Sequence, residues 1–358
     1  MYRTTILCIS LFILLSNGAQ SQEISVVAVG DMMFGSDVSK IVDREGSLAP
    51  FAGVVQILKD ADVTFGILEG GIGTRGEPLQ DKEHTFRSKP SAARGLANAG
   101  FDVVSLANPH IMDYGVEGFV DTIEFLSWYG VKYVGGGTNL AEAKKPLILT
   151  VNGMKVAFLA YYKGSEFDPA FAKEDKPGPA FPIYGELERE VAAAKEQSDF
   201  VIVSIHWGVQ QRESEGSEVT SRQKLYARKL IDSGADVVLG QWLHTLQGIE
   251  IYKGKPVVYS LGDFIYGTYA KKLPIGFILK FVFSKGKPIR TEITPLSTSD
   301  TRTASYFPVA LRDQAAQDAI ATLGELSKEL GTSIKISGDT GIVDMNSSVK
   351  EWNTGEGM

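Results

Sequence analysis

Residues 201–208 read Val-Ile-Val-Ser-Ile-His-Trp-Gly, a short and mostly apolar run that ends in a histidine and a glycine. Such a run is typical of a buried β-strand. Four further runs have the same form and end at His110, His244, Asp31 and Glu69. In an open α/β sheet, ligands bind beyond the carboxyl ends of the strands. We therefore predict that two carboxylates and three imidazoles meet at one sheet edge and form a metal or catalytic site.

Strand-like and helix-like segments alternate from about residue 23 to about residue 283. The predicted strands are 24–30, 63–68, 101–107, 131–134, 146–151, 155–161, 199–205, 235–240, 256–261 and 276–283. The predicted helices are 50–61, 91–99, 116–129, 185–197, 221–233 and 308–330. Asn152-Gly153 and Lys253-Gly254 separate strand-like runs and predict hairpin turns. We expect an α/β fold, with two mixed sheets packed face to face and helices outside.

The composition is that of a globular protein, with 358 residues, 44% apolar residues and 22% charged residues. The net charge is −7 and no basic run stands out, which argues against nucleic acid and anionic lipid as main partners. We expect a signal peptide at 1–22, a core domain at 23–300, and a C-terminal helix and tail at 301–358 that pack on the domain.

The amino terminus has the pattern of a secretory signal. Arg3 precedes an apolar stretch at 6–15, and small residues near Ala19 and Ser21 suit signal peptidase. The stretch is about half of the roughly 20 residues that a membrane-spanning helix needs. Cys8 lies inside it and is the only cysteine, so the mature chain would have no disulfide. We expect export to a bacterial periplasm or cell envelope.

The densest group of polar side chains follows the run at 103–107 and consists of Asn108, His110 and Asp113. The imidazole could bind a metal or donate a proton, with Asp113 holding its tautomer. His206 and His244 would each be structural if considered alone. Together with Asp31 and Glu69 they favour a divalent metal such as manganese, zinc or iron, because these metals accept mixed imidazole and carboxylate ligands.

A polar loop contains two candidate substrate contacts, His84 and Arg87. We found no nucleophile elbow, Walker motif or dinucleotide fingerprint in the sequence.

The order of these motifs resembles the bacterial capsule-synthesis proteins of the CapA type, which act in poly-γ-glutamate biosynthesis. The matching stretches are 29–31, 68–69, 100–108 with His110 and 113–115, 205–208, 234–240, His244 and 259–264. That family is similar to calcineurin-like metallophosphatases. The resemblance implies a four-layer α/β/β/α sandwich of metallophosphatase type, with a metal centre at the strand ends. It also implies metal ligands at Asp31, Glu69, Asn108, His206 and His244, with His110 and Asp113 as the catalytic pair.

Four stretches depart from the family pattern, and one of them is Ile67, where the family has an asparagine before Leu-Glu. The family usually has Asn-Asn-His where this chain has Asn108-Pro109-His110, and Gly-His-His-Pro-His where it has 240–244, Gly-Gln-Trp-Leu-His. It also has Gly-Asn-Phe where this chain has 262–264, Gly-Asp-Phe, so that Asp263 could supply an extra carboxylate.

Three functional hypotheses remain open. The first is an exported protein of capsule or envelope-polymer synthesis that acts as a metal-dependent hydrolase or transferase on a phosphoester or an amide of an anionic polymer. The second is a non-catalytic binding or assembly protein, and the third a generic periplasmic phosphoesterase. The partners to consider are an anionic polymer or phosphoester as substrate and a membrane synthase complex with which the protein could associate.

Overall fold

The computed structural model describes residues 22–80, 82–164, 170–207, 217–242, 244–266, 275–298 and 307–347. The expected signal peptide lies outside these residues except for Gln22, as do 301–306 and 348–358 of the expected C-terminal segment. Within the described ranges, no helix is both long and apolar enough to cross a bilayer.

The larger sheet has ten strands in the described part of the chain. They are β1 (Glu23–Met32), β2 (Val63–Leu68), β5 (Val103–Ser105), β6 (Lys132–Val134), β15 (Asp263–Ile265), β16 (Ile275–Ser284), β17 (Arg290–Ser297), β18 (Val309–Ala310), β19 (Ile334–Ser337) and β20 (Thr340–Val343). The order across the sheet is β19-β20-β17-β16-β1-β2-β5-β6, with β15 beside β1 and β18 beside β17. Strands β1, β2, β5 and β6 run parallel, whereas β16 is antiparallel to β1.

The second sheet has six strands in the order β13-β14-β12-β11-β9-β8. They are β8 (Leu147–Val151), β9 (Met154–Tyr162), β11 (Phe200–His206), β12 (Val237–Gln241), β13 (Ile249–Tyr252) and β14 (Lys255–Val258). Two small pairs complete the strands: β3 (Gly71–Ile72) with β4 (Arg87–Ser88), and β7 (Gly136–Gly137) with β10 (Gly178–Pro179).

The helices are α1 (Ser36–Glu45), α2 (Val55–Lys59), α3 (Ser91–Ala99), α4 (Gly115–Trp128), α5 (Leu140–Lys144), α6 (Glu186–Gln197), α7 (Ser221–Asp232) and α8 (Asp313–Lys328), with a 3₁₀ turn at Ala49–Phe51. Local sequence explains their ends. Helix α3 stops at Gly100, whose φ of 94° suits glycine. Thr220 is the N-cap of helix α7, and Thr220 and Gln223 form a reciprocal capping box.

Three apolar layers separate four layers of secondary structure. The layer between the sheets contains Phe65, which stacks on Phe158 of the opposite sheet at 5.7 Å between ring centroids. Leu96 of α3 and Phe119 of α4 pack on the outer face of the larger sheet. Residues of α6 and α7 pack on the outer face of the second sheet. The predicted four-layer α/β/β/α sandwich is therefore confirmed.

The ten predicted strands are all present, and both hairpin predictions are confirmed. Asn152 and Gly153 have φ of 48° and 75°, and Lys253 and Gly254 have φ of 51° and 72°. Positive φ at both turn residues is what a two-residue type I′ hairpin requires. Sequence analysis missed α1, β17 and the hairpin β19–β20, which extends the larger sheet beyond residue 300.

Candidate metal centre

The alternation of side chains along the strands directs the candidate ligands into the layer between the sheets. In β2, Phe65 and Ile67 face this layer, and Glu69 continues the same alternation just beyond the strand. In β11, Ile202 faces the same layer, so that His206 at the strand end does too. Both polar side chains are about 1% exposed. The two sheets thus deliver an acid and an imidazole to one buried site.

A β-bulge sets the direction of Asp31. Ala28 pairs with Phe65 and Asp31 pairs with Ile67. Strand β1 therefore advances three residues over a stretch in which β2 advances two, so β1 contains one extra residue. Ala28 faces the inter-sheet layer, and without the extra residue Gly30 would occupy the next inward position. The bulge places Asp31 there instead, next to Glu69. Bulges commonly re-aim a side chain beside a functional site.

Asp263 reaches the site because β15 lies directly against β1. Asp31 is the register partner of Asp263, and the Asp31 amide donates to the Gly262 carbonyl at 3.0 Å. A Cβ atom on Gly30 would overlap that carbonyl, so the close approach needs glycine at residue 30. Gly262 itself has a φ of 67°.

Asp31, His244 and Asp263 form a cluster whose ligand atoms lie within 4.8 Å of one another. His244 Nδ1 is 2.8 Å from Asp263 Oδ1 and 3.8 Å from Asp31 Oδ2. His244 has a φ of 51°, in the left-handed region that few residues other than glycine adopt. The backbone therefore holds this imidazole in place at a conformational cost.

Several buried oxygen and nitrogen atoms at this site, all of which could bind a metal, have no hydrogen-bond partner within the described residues. They are both carboxylate oxygens of Asp31, Oε2 of Glu69 and both ring nitrogens of His206. Buried polar atoms in folded proteins are almost always paired, and such a set of unpaired atoms is typical of a site that binds water or an ion. Carboxylate oxygens and neutral imidazole nitrogens are ligands of divalent metals. These residues therefore fit a divalent cation.

The electrostatics of the site agree with that fit. Burial, and then the charge of Glu69, raise the pKa of Asp31 well above its usual value. Burial also raises the pKa of Glu69, and burial lowers the pKa of His206 well below its usual value. Burial alone would lower the pKa of His244, but Glu69, Asp263 and Asp31 outweigh it and raise that pKa to about 10. A cation among these carboxylates would relieve their mutual repulsion.

The predicted pair of His110 and Asp113 is formed. His110 Nδ1 lies 2.8 Å from Asp113 Oδ2, and His110 Nε2 lies 3.9 Å from Glu69 Oε1. Asp113 is fully buried and accepts further hydrogen bonds from the Lys82 ammonium and, at 2.7 Å, from the Phe86 amide. This arrangement fixes Nδ1 on Asp113 and leaves Nε2 beside the acidic cluster.

Two aromatic side chains that sequence analysis missed enclose the site. Phe86 packs on His110 with 4.5 Å between centroids, Tyr266 packs on His244 at 4.6 Å, and the two aromatic rings are 6.4 Å apart. Burial, then Glu69, raises the pKa of the Tyr266 hydroxyl. Lys82 was missed as well. A lysine or aromatic residue in a loop carries no periodic signal, so nothing in the sequence marked these three.

The structure gives the predicted ligand Asn108 several hydrogen bonds of its own. Its amide nitrogen donates to the Leu68 carbonyl at 2.7 Å, and its amide oxygen accepts from the His110 amide at 3.0 Å. These contacts tie the end of β2 to the loop that carries His110. A role for Asn108 as a metal ligand stays a prediction.

The two predicted substrate contacts lie apart from the acidic cluster. The His84 side chain is half exposed, and its nearest acid is Glu83 at 3.8 Å. The guanidinium of Arg87 donates to the carbonyls of Arg75 and Gly76 and lies 4.0 Å above the Tyr114 ring. Arg87 thus braces a loop, and substrate binding by either residue stays a prediction.

Two of the departures from the family pattern, Gln241 and Trp242, lie next to His206. Gln241 is the register partner of His206; its amide nitrogen donates to Ser204, and its buried oxygen lacks a partner among the described residues. Trp242 packs edge-on against the His206 ring at 5.3 Å. An amide oxygen and an indole therefore stand where the family usually has two imidazoles. Gln241 is a further oxygen donor that sequence analysis missed.

Comparison with known proteins settles the family. Residues 25–268 match the bacterial capsule synthesis protein family PGA_cap. The chain belongs to this family. It is 31% identical over 332 residues to the PGA biosynthesis protein CapA of Bacillus subtilis, covering 91% of this chain and 84% of that protein.

Two further similarities concern a mycobacterial relative and a solved structure. A probable polyglutamine synthesis accessory protein of Mycobacterium tuberculosis is 29% identical over 274 residues, 71% of each chain. The Haemophilus influenzae NAD nucleotidase superposes with a TM-score of 0.43 at 14% identity, over 85% of this chain and 56% of that chain.

Proposed function

We propose that this PGA_cap protein is exported and acts in the synthesis of a capsule or poly-γ-glutamate-type envelope polymer, as a metal-dependent hydrolase or transferase. The observation that carries the catalytic half is the set of unpaired, buried ligand atoms on Asp31, Glu69 and His206. Such atoms are costly to bury unless they bind something. The polymer half rests on membership of the family and on the name of the Bacillus subtilis relative.

The metal would be held by Asp31, Glu69, His206, His244 and Asp263, and manganese, zinc and iron all accept such ligands. When bound, it would supply a positive charge that stabilises negative charge on the oxygens of a phosphoester or an amide. Gln241 offers an additional oxygen beside His206.

The protein's own residues provide a proton donor next to this set. In its imidazolium form His110 would donate from Nδ1 to Asp113 and hold its second proton at Nε2, on the side of Glu69. A leaving group that departs from the cluster would take that proton. The Lys82 ammonium and the Phe86 amide donate hydrogen bonds to the two carboxylate oxygens of Asp113. These bonds hold the carboxylate in the orientation that faces the imidazole. Phe86 packs against the His110 ring and Tyr266 against the His244 ring, which restricts how the two imidazoles can turn.

A second function is favoured by a specific observation. Pro109, Gln241 and Trp242 stand where the family usually has an asparagine and two histidines, so up to three potential ligands are replaced. A non-catalytic protein that binds the anionic polymer, or assembles with a membrane synthase complex, would tolerate this loss. The name of the mycobacterial relative, an accessory protein, is in line with that alternative.

The deciding experiment measures the metal content of the purified protein after incubation with manganese, zinc or iron and gel filtration. We expect about one or more ions per chain, lost in His206→Ala and kept in His84→Ala, a matched change of an exposed histidine. Hydrolysis of phosphoesters and γ-glutamyl amides should then disappear in His110→Ala while the metal remains. An absence of bound metal in the wild type would favour the non-catalytic alternative.

Export is tested separately. The proposal predicts that the protein recovered from the cell envelope begins near residue 23, as amino-terminal sequencing would show. Recovery of an intact amino terminus in the cytoplasm would refute it.

A further inference from the structure

A groove on the outer face of helix α7 is basic although the chain as a whole carries a net charge of −7. It encloses about 340 Å³ between α7 and strand β13. Six of its lining residues define what we term the α7 groove: Lys224, Leu225, Arg228, Lys229, Asp232 and Tyr252. Three are cationic and one is acidic. The groove therefore attracts anions on the surface of an acidic protein.

The spacing along the helix explains why these side chains share one face. Lys224, Arg228 and Asp232 follow one another at intervals of four residues, and Leu225 and Lys229 form the adjacent row. Side chains three and four positions apart are neighbours on a helix surface. The opposite face of α7, with Ala227, Leu230 and Ile231, is buried against the second sheet.

The groove combines an anchored arginine, whose charge is paired with that of Glu250, with exposed apolar surface. Arg228 donates through Nε and Nη2 to Glu250, at 3.0 and 2.6 Å, and Glu250 is buried and also accepts from Tyr259. The guanidinium lies 5.2 Å from the Tyr252 ring. It is thus held in place before any ligand arrives, which reduces the entropy that binding costs. Leu225, at 53% exposure, offers an apolar contact among the cations.

The acidic member of the groove is already neutralised. Asp232 lies at one end, where the Lys253 ammonium donates to it at 2.5 Å and the Tyr252 hydroxyl at 3.3 Å. Within the described residues, Lys224 and Lys229 have no ion pair of this kind. A ligand suited to this surface has closely spaced carboxylates for the lysines and methylene groups for Leu225 and Tyr252.

We propose that the α7 groove binds a segment of a polycarboxylate chain, the anionic polymer on which the protein acts. This inference rests on the proposed function for the identity of the polymer. It places a binding surface on the outer face of the second sheet, separate from the metal centre in the inter-sheet layer. A chain held there would be retained by the protein independently of any reaction at the acidic cluster.

The test is fluorescence anisotropy of labelled poly-γ-glutamate with the wild type and with the double variant Lys224→Glu/Lys229→Glu. We expect the double variant to bind about tenfold more weakly or worse, and wild-type affinity to fall with added salt. Lys328→Glu/Lys335→Glu is the matched control, because it makes the same change in net charge at exposed lysines elsewhere. Arg228 is left unchanged, since its loss would leave Glu250 buried without its ion pair.

Each outcome of this experiment either supports or overturns the proposed binding surface. Weakened binding in the groove variant alone supports the proposal, whereas equal binding in both double variants, or none in the wild type, overturns it. An acidic peptide of random sequence that binds as tightly as the polymer would also overturn it, in favour of a protein partner. A protein without metal that still binds polymer through α7 would contradict the catalytic proposal and leave this one standing.

Discussion

Asp31 and Asp263 are register partners between two parallel strands, and the imidazole of His244 lies within 4 Å of both carboxylates. Adjacent buried acids repel each other and lose the hydration of their charges. Assembling this cluster therefore lowers the stability of the fold, and such destabilising clusters are typical of binding or catalytic sites.

The first prediction concerns that cost. Asp31→Asn should raise the free energy of unfolding of the metal-free protein by about 1 kcal/mol or more, because the raised pKa of Asp31 reflects a charge that folding disfavours. A carboxyl group whose pKa is raised on folding destabilises the folded state as pH rises, so the gain should be larger at pH 7 than at pH 4. With saturating metal the order should reverse, since the wild type alone keeps a full ligand set.

Urea unfolding in EDTA and in manganese or zinc checks this prediction. Asp43→Asn is the control, because Asp43 is half exposed and, among the described residues, its ion pair is with Lys89. An Asp31→Asn protein that is less stable than the wild type under both conditions would show that the carboxylate serves the fold and not a metal.

A second prediction concerns Lys82, which donates to Asp113 and to the Pro109 carbonyl. Lys82→Met should cost about 2–4 kcal/mol of stability, because it removes the cation from a fully buried carboxylate. Lys89→Met is the matched control. It breaks a similar ion pair with Asp43 at the surface, where about 0–1 kcal/mol is expected. Equal losses in the two variants, measured by urea unfolding, would refute a special role for Lys82.

A third prediction concerns the contact between β1 and β15. Gly30→Ala should lower stability by about 2 kcal/mol or more and weaken metal binding, because the new methyl group would push Gly262, and with it Asp263, away from Asp31. Gly324→Ala is the control, since Gly324 lies in α8 with open space around it. That variant should gain up to about 1 kcal/mol. Calorimetry and metal titration of both variants provide the measurement.

A fourth prediction is a pH dependence away from the metal centre. Burial alone would raise the pKa of Asp121, but donors from the Thr74 and Arg75 amides and the Arg75 side chain outweigh it, and the pKa is lowered. A depressed carboxyl pKa stabilises the fold above the unfolded value of about 3.9, and this contribution is lost as pH falls through the folded value.

Asp121→Asn should therefore destabilise the protein by about 1–3 kcal/mol at pH 7 and by clearly less below pH 3. Urea unfolding from pH 2 to pH 7 would test it. A difference between the variant and the wild type that stays constant over this range would be contrary to the prediction.

Much of the fold is visible in the sequence because buried strands and amphipathic helices have distinct periods. The run at 63–68 is a strand with those bounds, and the helix at 91–99 begins and ends as predicted. Strand β17 was missed because Arg290, Glu292 and Thr294 interrupt its apolar positions. The hairpin β19–β20 was missed because its first strand is largely exposed.

The candidate site was predictable to the extent that strand ends reveal it. Asp31 lies near enough to Glu69 for that charge to raise its pKa, Asp31 clusters with His244, and His110 pairs with Asp113 as expected. The contributions of Lys82, Phe86 and Tyr266 depend on how loops return to the site, and no local pattern encodes that return. The bulge in β1 was also invisible, because it is a property of strand pairing and not of residue type.

That bulge has a genetic consequence. Successive side chains of a strand point to opposite faces of the sheet. One extra residue therefore moves every later side chain of that strand to the other face. An in-frame deletion of a single codon near Val29 would turn Asp31 toward the helical layer while every ligand codon stayed intact. A one-residue deletion upstream of Asp31 would therefore abolish the metal centre as completely as the substitution of a ligand. An insertion of one residue in the same strand would restore the direction of Asp31.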